Sequence, residues 1–395
     1  MKIVLPVFLI FTQALFAIEV PKEIQAQSVY IFNLESLEPV LERNSDAILY
    51  PASLTKLLTG YLLSEALFPQ DRLYYSRLAK DTDPYKLDLN IGEKVSAAQA
   101  MDALLVWSAN DIATMIAENI GGTIYGFSEL MNQEAMKLGM THSHFVTPHG
   151  LHDPSHYTSA FDISLLLKKV YENTWMRDTM KKESVLFYEN DGTSRVLKNR
   201  NKLLENIECL GGKTGWTEEA GRCLAAIFTY ANQIWGGIIL NTVYDYPQDT
   251  IVFQEMSSLM KMVEKMRPVS ILNKGAMVKK VNVKFNLFNV FGPALDTEIP
   301  VFIESDVELT NTDLPYENSI IISEINPWAL SKEKSIGIYQ VNYRNFNKEY
   351  YLYSGLSTIE IIKSYWHIYL LIIGIIAAAV VMLMAFIHLF KKRIF

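Results

Sequence analysis

The stretch 368–387 contains no charged residue and no proline, and nothing else in the chain limits its architecture as tightly. In hydrocarbon every backbone N–H and C=O must be paired inside its own segment, and a helix of about 20 residues crosses ~30 Å. The run is apolar on all sides, which disfavours a helix lying along a membrane surface. Tyr365, Trp366 and Tyr369 stand where an aromatic belt belongs, and Lys391, Lys392 and Arg393 follow at the far end. Positive charge favours the cytoplasmic side, so the expectation is a single transmembrane helix over 366–390. It would carry a cytoplasmic tail at 391–395 and leave everything before Tyr365 outside.

The other end agrees with export. Met1 and Lys2 precede an apolar run over 3–16, interrupted only by Pro6, Thr12 and Gln13, and Ala17 offers a small residue for cleavage. This pattern predicts a signal peptide over 1–17; the run is short for an uncleaved anchor. An exported chain is permitted a disulfide between its only two cysteines, Cys209 and Cys223, and two buried thiols fit as well. The formal net charge of −7 argues against a surface that tracks nucleic-acid phosphates.

A chain of 395 residues suggests more than one core. Region 21–266 reads as one α/β unit: a strand over 26–33, helices over 54–67, 97–107, 112–118, 127–138 and 162–171, strands over 223–229 and 234–240, and a closing helix over 254–265. Beyond Pro268 the pattern changes. Residues 281–287 alternate apolar and polar, as do Ile299, Val301 and Ile303, with another β-rich patch at 350–353. That predicts a small all-β domain over 268–359.

Three short segments carry chemistry. In Ser53-Leu54-Thr55-Lys56, a helix start puts Ser53 and Lys56 on one face, so the amine reaches the hydroxyl. A desolvated lysine with a lowered pKa can serve as the base that makes serine nucleophilic; the plain alternative is a helix cap beside a solvated lysine. Ser108-Ala109-Asn110 offers a hydroxyl to relay a proton and a carboxamide to hold a peptide amide, and Ser108 with Asp111 equally fits an N-cap. Lys213-Thr214-Gly215, after Gly211-Gly212 and before Trp216, suits a strand to which a substrate backbone comes close, with charge and hydroxyl for a carboxylate. A hairpin with turn glycines is the alternative.

Taken together, Ser-x-x-Lys, Ser-x-Asn and Lys-Thr-Gly resemble the penicillin-recognising enzymes. The chain is most similar to the serine-type D-alanyl-D-alanine carboxypeptidases among the low-molecular-weight penicillin-binding proteins. The likeness extends to Pro51-Ala52, to 139–145, to 147–151 and to the layout of signal peptide, catalytic domain, β domain and membrane attachment. It implies a penicillin-recognising, β-lactamase-like α/β (α+β) fold, Ser53 as nucleophile, Lys56 as base and Ser108 as relay toward the leaving amine. Asn110 would hold the substrate amide, and Lys213 and Thr214 the terminal carboxylate. Gly215 lies in the same binding strand, and the N–H groups of Ser53 and Trp216 form the oxyanion hole. Arg200 matches a position near the site. No cofactor or metal is implied. The implied partners are peptidoglycan stem peptides, β-lactams and, through the C-terminal helix, the bilayer. Two departures stand out: Trp216 replaces a frequent histidine, and 241–249 contains no arginine where the family commonly has one.

Three rival readings remain at this level. His142, His144, His149, His152 and His156 crowd one segment, which suggests a zinc peptidase, although no His-Glu-x-x-His is present and Pro148, Gly150 and Pro154 make a loop. A class A-like β-lactamase shares the three motifs but needs a deacylating glutamate, and no Glu-x-x-Leu-Asn lies between Asn110 and Lys213. A membrane-anchored β-lactam sensor or scaffold would need an output partner beyond the short tail.

Overall fold

The structure, a computed structural model, describes residues 18–205, 208–287 and 291–394. The expected signal peptide over 1–17 lies outside the described residues. The chain divides into two compact units that meet between Met266 and Arg267.

The first unit is built on an antiparallel five-stranded sheet. Its order is Pro39–Arg43, Ser28–Asn33, Gln233–Thr242, Gly221–Tyr230, Cys209–Thr217. The early strand therefore pairs with a late one, and the helices between them in sequence are inserted into a single sheet. Apolar residues occupy both faces of these strands, and their two-residue period divides them between two cores. Tyr30, Phe32, Ala225 and Ile227 pack with the helices Lys56–Ala66 and Asn110–Gly121. Val29, Ile31, Leu224 and Ala226 pack with Ile251–Lys265 on the other side.

Two helices depart from the simple periodic reading in ways that shape the site. The one expected over 54–67 begins as a 3-10 turn, Ala52–Thr55, before the α-helix Lys56–Ala66. The one expected over 97–107 is α-helical only over Ala97–Asp102, where Ser96 caps it by accepting from the Gln99 N–H. It then widens into a π turn at Ala103–Trp107 and stops at Ser108, whose φ is 70°. Inserted π turns are frequent at functional sites because they re-aim the residues that follow. The hairpin Ser184–Tyr188 with Ser194–Lys198 was not anticipated: Phe187 and Leu197 are buried, but Leu186, Tyr188 and Val196 are exposed, so polarity does not mark its two faces.

Cys209 and Cys223 are both buried free thiols, so the bridge left open by the sequence does not form. Their strands are neighbours, but Cys209 lies opposite Phe228 and Cys223 opposite Gly215. That offset is about 20 Å at ~3.3 Å per residue, beyond the reach of a disulfide.

The second unit holds another antiparallel sheet, ordered Met277–Leu287, Phe291–Ile303, Phe346–Ser354, Ser335–Tyr343, Glu317–Ile322. The strands Val269–Leu272 and Val307–Leu309 form a separate pair. Phe285, Ile299, Val301, Val341 and Leu352 form its core, with Phe285 stacked 4.8 Å from Trp328. The last helix, Thr358–Ile394, starts earlier than expected, and Ile361 and Tyr369 join that core. Farther along, its large apolar side chains are exposed, and by length and composition it suffices to cross a membrane.

Candidate active site

The site lies where the 3-10 turn Ala52–Thr55, the end of the π turn and the strand Cys209–Thr217 meet. Gly215 permits this close approach, since a Cβ there would sit 3.0 Å from both the Pro51 carbonyl oxygen and the Ser53 nitrogen. A cleft of about 210 Å³ opens over Ser53, Ser108, Thr214 and Gly215, with Tyr85, Arg200, Trp216 and Arg222 around it.

Lys56 is wholly buried. Its Nζ is 2.8 Å from Ser53 Oγ, 2.6 Å from Asn110 Oδ1 and 2.8 Å from the His149 carbonyl oxygen. Burial holds its pKa well below the ordinary lysine value, and the Arg200 charge lowers it further against a smaller opposing effect of Asp111. In the neutral amine the two N–H bonds are matched by the two carbonyl-type acceptors, Asn110 Oδ1 and His149 O. The lone pair is then left facing the Ser53 hydroxyl. This is the protonation state and direction a general base needs. Ser53 itself caps no helix through its side chain.

Lys213 is also buried, and its Nζ donates to Ser108 Oγ at 2.9 Å and to the Thr214 carbonyl at 2.9 Å. Its pKa is likewise lowered, first by burial and then by Lys56, Arg200 and Arg222. Two lysines thus reach the reaction centre, one ending on Ser53 and the other on Ser108. Ser108-Ala109-Asn110 does not form the N-cap that the sequence left open, because Ala109 is the cap residue. The Asp111 carboxylate instead accepts from Tyr75 Oη at 2.8 Å and from the backbone N–H groups of Leu87 and Asp88 at 2.8 and 3.0 Å. That anchors the loop bearing Tyr85, and Asn110 fastens it again by donating Nδ2–H to Pro84 O and its backbone N–H to Tyr85 O.

Arg200 reaches the cleft sandwiched between aromatic faces, 4.6 Å from the Tyr85 ring centre and 5.0 Å from that of Trp107, and donates Nε–H to the Trp107 carbonyl. Trp216 is 39% exposed, and its ring lies 5.1 Å from that of Tyr244 on the rim. Sequence reasoning missed Tyr85, Arg222 and Asp249. Arg222, directly across from Trp216 on the next strand, makes a two-pronged pair with Asp249 at 2.7 and 2.6 Å and donates to the Gly215 carbonyl. Segment 241–249 has no arginine of its own, yet it supplies the carboxylate that holds one in the cleft. The cross-strand register was the missing signal; no local motif carries it.

The five histidines do not converge. His156 Nε2 contacts Thr55 Oγ1, His144 Nδ1 contacts the Ser155 carbonyl, His149 Nδ1 accepts from Leu151 N–H, and His152 faces Glu219 at 3.7 Å. Among the described residues no group of three or more His, Cys, Asp or Glu side chains is arranged to hold a metal ion.

Residues 15–242 match the profile of the D-alanyl-D-alanine carboxypeptidase family, more than half of the chain. The chain is 32% identical over 227 residues to D-alanyl-D-alanine carboxypeptidase DacA of Haemophilus influenzae, covering 54% of this chain and 56% of that protein. It thus spans little more than half the length of the curated relatives it matches. The structure of penicillin binding protein 5 from Haemophilus influenzae superposes with a TM-score of 0.61 at 23% identity, over 85% of this chain and 97% of that one. A penicillin-binding protein from Listeria monocytogenes, solved in its ampicillin-bound form, gives a TM-score of 0.54 at 27% identity over 61% of this chain and 98% of that one.

Proposed function

Because the chain belongs to the D-alanyl-D-alanine carboxypeptidase family, we propose that it is a serine carboxypeptidase removing the terminal D-alanine from peptidoglycan stem peptides through an acyl-enzyme. One observation carries this reading: Lys56, buried and desolvated, has acceptors for two hydrogens and a serine hydroxyl for its lone pair.

Neutral Lys56 takes the Ser53 proton as Ser53 Oγ attacks the carbonyl of the penultimate D-alanine. The negative charge that develops on the carbonyl oxygen is met by the N–H groups of Ser53 and Trp216. Ser108, coupled to Lys213, passes a proton to the leaving amine and recovers one from Lys56, so Lys56 is neutral again when free D-alanine departs. Water then attacks the ester as Lys56 takes one of its protons, and Lys56 delivers that proton to Ser53 Oγ when the bond from Ser53 to the acyl carbon breaks. Asn110 both orients Lys56 and holds the substrate amide. Lys213 and Thr214, with Arg222 and Arg200 adding positive charge, attract the terminal carboxylate. β-Lactams acylate the same serine, and their slow release makes the chain penicillin-binding.

On this reading the helix Thr358–Ile394 anchors the chain in the cell membrane with the catalytic unit on the outer face, after removal of 1–17. The test is release of D-alanine from a peptide ending in D-Ala-D-Ala by the detergent-solubilised full chain. The reading requires release that benzylpenicillin blocks and that a metal chelator leaves untouched. Chelator-sensitive, penicillin-resistant release would favour the zinc reading, and rapid destruction of penicillin the β-lactamase.

A further inference from the structure

The residue before the nucleophile is in an unusual conformation. Ala52 has φ 47°, a region that residues with a Cβ rarely occupy unless their surroundings impose it. Its carbonyl oxygen accepts the Thr55 hydroxyl proton at 2.8 Å. With that one hydrogen used, Thr55 Oγ1 can only accept from His156 Nε2, which lies 2.8 Å away. The other ring nitrogen, Nδ1, accepts from the backbone N–H groups of Val146 and Thr147 at 3.0 and 3.2 Å. Both ends of the imidazole therefore demand the same neutral tautomer, and both Thr55 and His156 are buried.

The surrounding loop closes on the same turn. Gly150 has φ 81°, and a Cβ on it would fall 1.9 Å from the Ala52 oxygen and 2.6 Å from Thr55 Oγ1. The neighbouring His149 and Pro148 carbonyls accept from Lys56 Nζ at 2.8 Å and from Thr59 Oγ1 at 2.5 Å.

We propose that His156 is a positioning residue: through Thr55 it fixes the Ala52 carbonyl, and with it the direction of the Ser53 N–H that receives the oxyanion. The link is covalent geometry, since Ala52 C=O and Ser53 N–H belong to one planar peptide unit and cannot turn independently. The histidine-rich loop is thus a rear brace for the nucleophile turn. Burial supports the neutral ring, holding the His156 pKa down to about 4.

The inference rests on the carboxypeptidase reading, and its test separates the two. The second-order rate of acylation by benzylpenicillin is measured on the full chain in detergent for the wild type, Thr55→Ser, Thr55→Val and His156→Leu. Thr55→Val and His156→Leu are expected to acylate about 10- to 100-fold more slowly, the scale of a small misplacement at a reacting centre. Thr55→Ser, which keeps the hydroxyl, should stay near the wild-type rate, and the double variant Thr55→Val with His156→Leu should be no slower than the slower single. Wild-type rates in Thr55→Val, or equal loss in Thr55→Ser, would overturn the brace. Imidazole ¹⁵N spectra give an independent readout, expected to show His156 protonated at Nε2 alone and altered by Thr55→Val. The opposite tautomer would overturn the proposal. Failure of the wild type to be acylated would remove the carboxypeptidase reading, while the spectra would still decide the brace.

Discussion

The two units treat buried polar groups in opposite ways. The first encloses Lys56, Asp111, Lys213 and Arg222, each with hydrogen-bond partners. In the second, the buried polar residues among those described are Thr297, Thr310, Asn311 and Ser354, none of them charged. Desolvating a charge is costly, so a fold that only needs stability has little reason to keep one inside. The contrast teaches that burial in the first unit lowers the proton affinity of its two site lysines, whereas the second is a conventional apolar core.

The sharpest way to break this contrast is to remove a buried amine. Lys56→Met should slow acylation of Ser53 about a thousandfold or more, as loss of a base acting in concert with its nucleophile does. Fluorescent penicillin labelling over time measures it, and near-normal labelling would make Lys56 a mere core residue. A smaller effect is expected at the edge of the cleft. Arg222→Gln, paired with Asp249→Asn so that no carboxylate is left unmatched, should raise KM for a D-Ala-D-Ala peptide about 10-fold, one charge-assisted hydrogen bond's worth.

Two further outcomes concern stability. His149 and His156 are held neutral, with pKa values lowered from 6.5 to about 3 and about 4, in each case chiefly by burial. The unfolded chain takes up protons at higher pH than the folded one. The stability associated with these rings is therefore complete above about pH 6.5 and falls progressively as pH drops, toward about 4 for His156 and about 3 for His149. Urea titrations of the first unit should show this slope, and His156→Gln should flatten it even though Asp153, His144, His152 and Lys56 remain around the site. In the second unit, Phe285→Ala should cost about 3–5 kcal/mol of local stability and leave the acylation rate unchanged. A change in rate would show that the two units are not separable in function.

What was legible in the sequence follows the same division. Strict alternation over 281–287 marked the β unit because one face of those strands is buried. The long helices of the first unit were visible through their apolar spacing. The turn at Ala52 and the π turn ending at Ser108 were not, since tertiary contacts, rather than propensity, impose them. The residue types of Ser53, Lys56, Ser108, Asn110, Lys213 and Thr214 pointed to one chemistry, and the fold brings them to one cleft. Arg222, Asp249 and His156 act across strands and loops distant in sequence, and only three-dimensional register brings them there.

The most direct test of the central claim is intact-mass analysis and peptide mapping of the detergent-solubilised chain after incubation with benzylpenicillin. The account predicts one stable adduct, on the peptide containing Ser53, that is absent from Ser53→Ala. An unmodified chain with penicillin left intact, or an adduct on any other residue, would contradict it.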